Sequence, residues 1–161
     1  MILIENVDIA STRVAGLEQE MQAQTQKMKG ELLFEFKAKN NSTTIKDISP
    51  NGIQLEMNDH GDVSGKYHAG HIDTVSVNLK TDGTNEWQLK SIHNTKDGDM
   101  VVVWGGGKGR MSNPTTGTWD GELHFMTQSP KLAWLNNSTA WVEGQGNMST
   151  GESSGKIYAK K

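Results

Sequence analysis

Four side chains in the stretch Val63 to Lys96 (VSGKYHAGHIDTVSVNLKTDGTNEWQLKSIHNTK) are of types that move protons or hold ions: His71, Asp73, Ser91 and His93. An aspartate beside histidines can orient an imidazole and hold its pKa near neutrality, as general acid–base work requires. Two His and one Asp could instead bind a divalent metal. A third possibility is a solvated polar rim at the mouth of a barrel, with no task. Whether the four meet at all depends on strand register.

The stretch reads as two strands joined near Asp82-Gly83, with apolar residues at odd positions on both arms: Val63, Tyr67, Val75, Val77, Leu79, Trp87 and Leu89. A two-residue loop would set Val77 against Gln88. A three-residue loop, Thr81-Asp82-Gly83 with the glycine left-handed, pairs Val77 with Trp87 and Val75 with Leu89. Slips of one residue turn a buried face outward, so the three-residue loop is preferred. The same register sets Asp73 opposite Ser91 and His71 opposite His93. One face therefore runs from apolar to ionisable, and the other carries Thr74, Ser76, Asn78, Glu86, Gln88 and Lys90.

The remaining segments must build the walls around that hairpin. Met1 to Ala10 is an apolar start, read as an arm or short edge strand. Ser11 or Thr12 then caps a helix to about Lys29, with Gly30 as its stop. Its narrow stripe of Val14, Leu17, Met21 and Met28 suits a helix lying on the sheet or an oligomer contact. From Glu31 the period becomes 2: Leu32, Phe34, Phe36 and Ala38 alternate with charged residues. A polar loop, Asn40 to Pro50, is expected next, then a strand with Ile53, Leu55 and Met57 on one face, then a turn at Asn58 to Asp62.

Met100-Val101-Val102-Val103-Trp104 has no polar alternation, so both of its faces should be covered, one by the interior and one by the helix or another subunit. The glycines of Gly105 to Arg110 (GGGKGR) lack the spacing of a phosphate loop and are read as a strand bending at a barrel corner. In Thr118 to Thr127, Trp119, Leu123 and Phe125 take the inner side, and Asp120, Glu122, His124 and Met126 the outer. Lys131 to Leu135 is short and irregular. A last hairpin, Thr139 to Met148 and Glu152 to Ala159, turns near Thr150-Gly151. About eight strands with short connections give an all-β fold, an eight-stranded antiparallel up-and-down barrel with one N-terminal helix. The division is 1–29 for arm and helix and 30–161 for the barrel. A barrel of that size holds side chains or one small ligand.

Composition narrows the function classes. The chain has 161 residues, 18 of them Gly and none Cys, so neither disulfides nor thiolate chemistry are available. A net charge of −3 with dispersed basic residues leaves no footprint for nucleic acid. No apolar run approaches a membrane span, and Asn40-Asn41-Ser42 and Asn136-Asn137-Ser138 follow no secretory signal. The expectation is a cytoplasmic protein with neither nucleic-acid nor membrane partners.

EGQGNMSTGESSGKIY, with Gly144, Gly146, Gly151 and Gly155, resembles the closing hairpin of allene oxide cyclase-like barrels. GDVSGKYHAGHIDTVSVNLKTDGT and GTWDGELHFM look like preceding strands of that superfamily, so the likeness covers roughly Val63 to Ala159. It implies an eight-stranded barrel, often oligomeric, whose lumen in some members cyclises or isomerises apolar substrates. The Glu, Asn and Pro of the plant cyclases match no positions here, and the N-terminal helix departs from the pattern. The expectation is thus a barrel binding a small, largely apolar molecule, with an isomerase or cyclase as its enzymatic form. His71, Asp73, Ser91 and His93 would do the chemistry, and Tyr67, Val75, Val77, Trp87, Leu89, Trp119, Leu123 and Phe125 would line the ligand. No metal or cofactor is expected, and a homo-oligomer is. The alternative is a structural barrel with a filled lumen.

Overall fold

The computed structural model describes residues 5–161, and the side chains of all of these except 5–11, 25 and 28. Helix α1 (Glu5–Met28) leads straight into β1 (Lys29–Ser49). Then follow β2 (Gly52–Gly65), β3 (Ala69–Lys80), β4 (Thr84–Thr95), β5 (Met100–Met111), β6 (Thr116–Thr127), a 3-10 helix (Pro130–Asn137), β7 (Thr139–Asn147) and β8 (Glu152–Lys160). Each strand pairs antiparallel with the next and β8 returns to β1, so the sheet closes into an eight-stranded barrel.

The β3–β4 turn is the three-residue Thr81-Asp82-Gly83, with Gly83 at φ 83°. Val77 faces Trp87, Val75 faces Leu89, Asp73 faces Ser91 and His71 faces His93. Burial of one face is what fixes this register.

Several local expectations change. The helix begins at Glu5, so the arm read over Met1 to Ala10 is helical from there, while 1–4 lie outside the described residues. Its stripe does not lie on the sheet: Val14, Leu17 and Met21 are exposed, and the Met28 side chain is outside the described residues. Asn40 to Pro50 is not a loop, because β1 runs on to Ser49 and pairs with β2 through register shifts at Asn40/Ser42 and Ile45/Asp47. Asn58 to Asp62 is not a turn either. It is the middle of β2, and the chain reverses later, at Lys66 to His68, placing Tyr67 in the connection. Leu32 faces outward beside a register shift, and Leu33 and Phe34 go inside.

The two barrel ends differ. At one end the 3-10 helix drives Leu132 and Leu135 inward against a core containing Leu33, Phe34, Tyr67, Ala69 and Val101. Asn136 clamps it there, accepting from the Thr127 backbone N–H (2.8 Å) and donating to the Thr127 carbonyl (3.1 Å). The other end carries the turns after β3, β5 and β7 and stays open.

β5 passes through its glycines without a register shift, so no bulge forms there. A Cβ at Gly107 would sit 1.9 Å from the Asp120 carbonyl oxygen, so the glycines allow close backbone approach instead. Outside, Met100 and Trp104 are exposed and Val102 half-buried, so the described residues leave the outer face of MVVVW uncovered.

Candidate functional site

The inner face of β3 and β4 delivers the four ionisable candidates to the closed end, not to a rim. His71–His93 is the next inward-facing pair after Ala69–Thr95, at the start of β3. The open-end turn lies roughly 30 Å farther along the strand at about 3.3 Å per residue. His71, Ser91 and His93 are only 5%, 4% and 4% exposed. The cluster is a floor.

His71 is held at both ring nitrogens. Nε2 lies 3.1 Å from the Lys37 carbonyl oxygen, which can only accept, so this nitrogen carries a proton. Nδ1 lies 2.9 Å from Asp73 Oδ2, a close approach of ring and carboxylate with the geometry out of line for a hydrogen bond. Burial works to lower the His71 pKa, but Asp73 and the Lys37 carbonyl outweigh it, and the net direction is upward. Asp73 is in turn braced by the Ser91 hydroxyl, which donates to its Oδ1.

His93 behaves oppositely. Burial, aided by the neighbouring His71, brings its pKa down to about 4, so the ring is neutral at pH 7. Burial also raises the Tyr67 pKa, so the phenol keeps its proton. The Tyr67 hydroxyl, 2.7 Å from Nδ1, donates to it, which leaves the ring proton on Nε2. Two imidazoles whose pKa values are pushed in opposite directions thus sit with ring centroids 5.7 Å apart.

One member of the cluster escapes the sequence reading. Asp59 lies directly opposite Asp73 across β2 and β3 and lines the same cavity. Its pKa is raised, chiefly by burial and then by the charge of Asp73, against a lowering hydrogen bond from Asn40. Asn40 Nδ2 donates to Asp59 Oδ1 at 2.7 Å. Asn40 is the direct cross-strand partner of Asp59, the last pair before the register shift at Asn40/Ser42, so the two side chains share a face. The available signal was phase: Leu55, Met57, Asp59, Gly61 and Val63 share one parity. Reading Asn58 to Asp62 as a turn broke it. Gly61 is also part of the site, because a Cβ there would meet the Lys37 carbonyl oxygen at 1.9 Å and His71 Nε2 at 2.7 Å. Only glycine lets the imidazole reach that carbonyl.

Above the floor is a cavity of about 200 Å3 with mostly apolar walls. Val75, Val77, Trp87, Leu89, Trp119 and Leu123 line it, and Met111, Met148 and Glu152 border it towards the open end. Tyr67 and Phe125 are buried in the closed-end core and do not line it; each packs against Phe34, at 4.4 and 6.5 Å between ring centroids. Trp119 stacks on Phe36 at 5.7 Å and meets Trp87 edge-on at 5.4 Å. Room for those rings comes from missing side chains: a Cβ on Gly144 would meet Trp119 at 2.4 Å. Of the five tryptophans, 87 and 119 therefore serve the lumen.

Glu122 and His124 sit on the outer face as a pair at 3.5 Å, and Lys160 also bonds Glu122. Among the described residues, no three His, Cys, Asp or Glu side chains converge as a metal-binding group. Among them, too, no helix is long and apolar enough to cross a membrane.

No family model and no curated protein matches the chain. Solved structures do. A protein of unknown function from Clostridium acetobutylicum superposes with TM-score 0.72 at 16% identity, over 81% of this chain and 97% of that one. A beta-barrel like protein from Acinetobacter baumannii gives 0.70 at 17%, over 81% and 94%. An enzyme from Penicillium herquei gives 0.64 at 22%, over 83% and 96%. At these identities the likeness is one of fold.

Proposed function

We propose that this barrel binds a small, largely apolar molecule in its lumen, and that it acts on that molecule as an isomerase or cyclase of the allene oxide cyclase-like type. The observation that carries the reading is an apolar cavity that ends on a buried, charge-organised floor. A cavity of about 150 Å3 already accommodates benzene, so about 200 Å3 suits a substituted ring or two fused rings. Enclosure and orientation would supply most of the rate, and a positioned acid–base group the rest. The Penicillium herquei enzyme supports a catalytic use of the fold.

Native mass spectrometry of purified protein should find a co-purifying small molecule. Binding of 2-naphthol should weaken by about tenfold in His93→Ala, which removes the Nε2–H, the cost of about one lost hydrogen bond, and by less in His71→Ala, which acts through the arrangement of the floor. Unchanged affinity in both would remove these residues from the site.

A second reading, a homo-oligomer, has its own observation. Ile72, Ile92, Val102 and Met126 form one cross-strand row on the outside of β3 to β6. Ile72 and Met126 are 58% and 55% exposed. A second copy of the chain is the occupant we propose for that row, whether or not the lumen is filled.

A further inference from the structure

Hydrogen-bond accounting separates the groups on the floor. His71 has Nε2 on the Lys37 carbonyl and Nδ1 against Asp73. Asp73 takes the Ser91 hydroxyl on one oxygen and faces His71 with the other. His93 has Nδ1 on Tyr67. Asp59 is different: it faces the cavity, and Asn40 meets one of its oxygens, Oδ1. Among the described residues, its second oxygen meets neither a hydrogen-bond donor nor a basic group, whereas that of Asp73 abuts the His71 ring.

We propose that Asp59 is the acid–base residue of the lumen, taking a proton from carbon on an uncharged, apolar ring compound and returning it at another atom. His71 and Asp73 are positioning residues that set the charge around it. This rests on the binding reading above. The step balances without any further reactant: the C–H pair stays with the substrate, the proton rests on Asp59, and the same proton restores a C–H or O–H bond in the product. Isomerisation or ring closure is the net result. The apolar walls suit this chemistry, because a carboxylate stripped of water is a stronger base than one in solution. The groups facing Asp59 are Asp73 and His71 from β3, Asn40 from β1 and His60 on its own strand, with Glu152 of β8 on the same cavity. Asp73 and burial hold its pKa up, while Asn40, His71 and His60 hold it down.

The test uses 5-nitrobenzisoxazole, a flat neutral ring whose opening reports a base in an apolar site. Asp59 would take the ring C–H proton, that bond's electron pair would complete a nitrile, and the N–O bond would break to leave a coloured phenolate. The proton then passes from Asp59 to water. The wild-type protein should open the probe, and Asp59→Asn should lose roughly 100-fold or more of that rate. The wild-type rate should rise with pH through an inflection above the ordinary aspartate range. Asn40→Ala should move that inflection to higher pH, because it removes a hydrogen bond that favours the charged form. His71→Ala should move it the same way. This readout does not depend on the folding of Asp59→Asn. A wild-type protein that binds 2-naphthol but leaves the probe at its buffer rate overturns the assignment, as does an inflection that neither variant moves. A wild-type protein that takes up neither compound overturns the binding reading itself.

Discussion

His93 and His71 titrate in opposite directions from adjacent strands, and stability against pH should record it. His93 is depressed to about 4 when folded, against about 6.5 when unfolded. Between those values the unfolded chain binds the extra proton, so stability falls as pH drops from 6.5 towards 4. The full effect is roughly 3 kcal/mol, partly offset by Asp59, whose raised pKa favours the folded state as it protonates. His71 is raised, so its contribution is complete below 6.5 and is lost as pH rises through its folded value. Urea unfolding from pH 4 to 8 should therefore peak between the two limbs. His93→Gln should flatten the acid limb, and an acid limb of unchanged slope would show that His93 is not buried neutral.

At the scale of elements, the plug decides what kind of barrel this is. The short 3-10 helix after β6 converts one end into core, and Leu135 is completely buried beneath it. Leu135→Ala should cost about 2–5 kcal/mol in urea unfolding, the usual range for a Leu-to-Ala cavity. A loss under about 1 kcal/mol, the level of a surface change, would mean that the plug does not pack as described. The same element makes the ionisable cluster a floor, since without it His71 and His93 would stand near an open end. The β1–β2 pair matters for a different reason. Its register sets Asn40 directly opposite Asp59, and Gly61 opens the path for His71 to the Lys37 carbonyl.

At the scale of the whole molecule, the exposed apolar side chains among the described residues include the cross-strand row on β3 to β6 and Val14, Leu17 and Met21 on α1. Contiguous exposed apolar surface is the kind that marks association sites. If the row is the contact between copies, Val102→Glu should shift the sedimenting species towards monomer without changing 2-naphthol binding. A wild-type protein that sediments as a monomer at all concentrations would end the oligomer reading. Val102 is the informative position because its neighbours Val101 and Val103 point inward and are fully buried.

The sequence by itself determined the strands that alternate cleanly. Period-2 patterning and one turn glycine were enough to place Val77 on Trp87 and His71 on His93, because a buried face tolerates only one register. Barrel closure was legible in the same way, from eight strands with short connections. Two things were not. Polar strand residues such as Asn40 to Ser49 and Asn58 to Asp62 look like turns when read locally, since Asn, Asp and Gly favour both turns and the irregular strands that bend walls. That ambiguity hid Asp59. The depth of the cluster was also invisible, because it depends on a plug formed some forty residues later in the chain. Tertiary structure alone turned His71, Asp73, Ser91 and His93 from a solvated rim into a buried floor, where burial and two neighbouring carboxylates decide which group holds the proton.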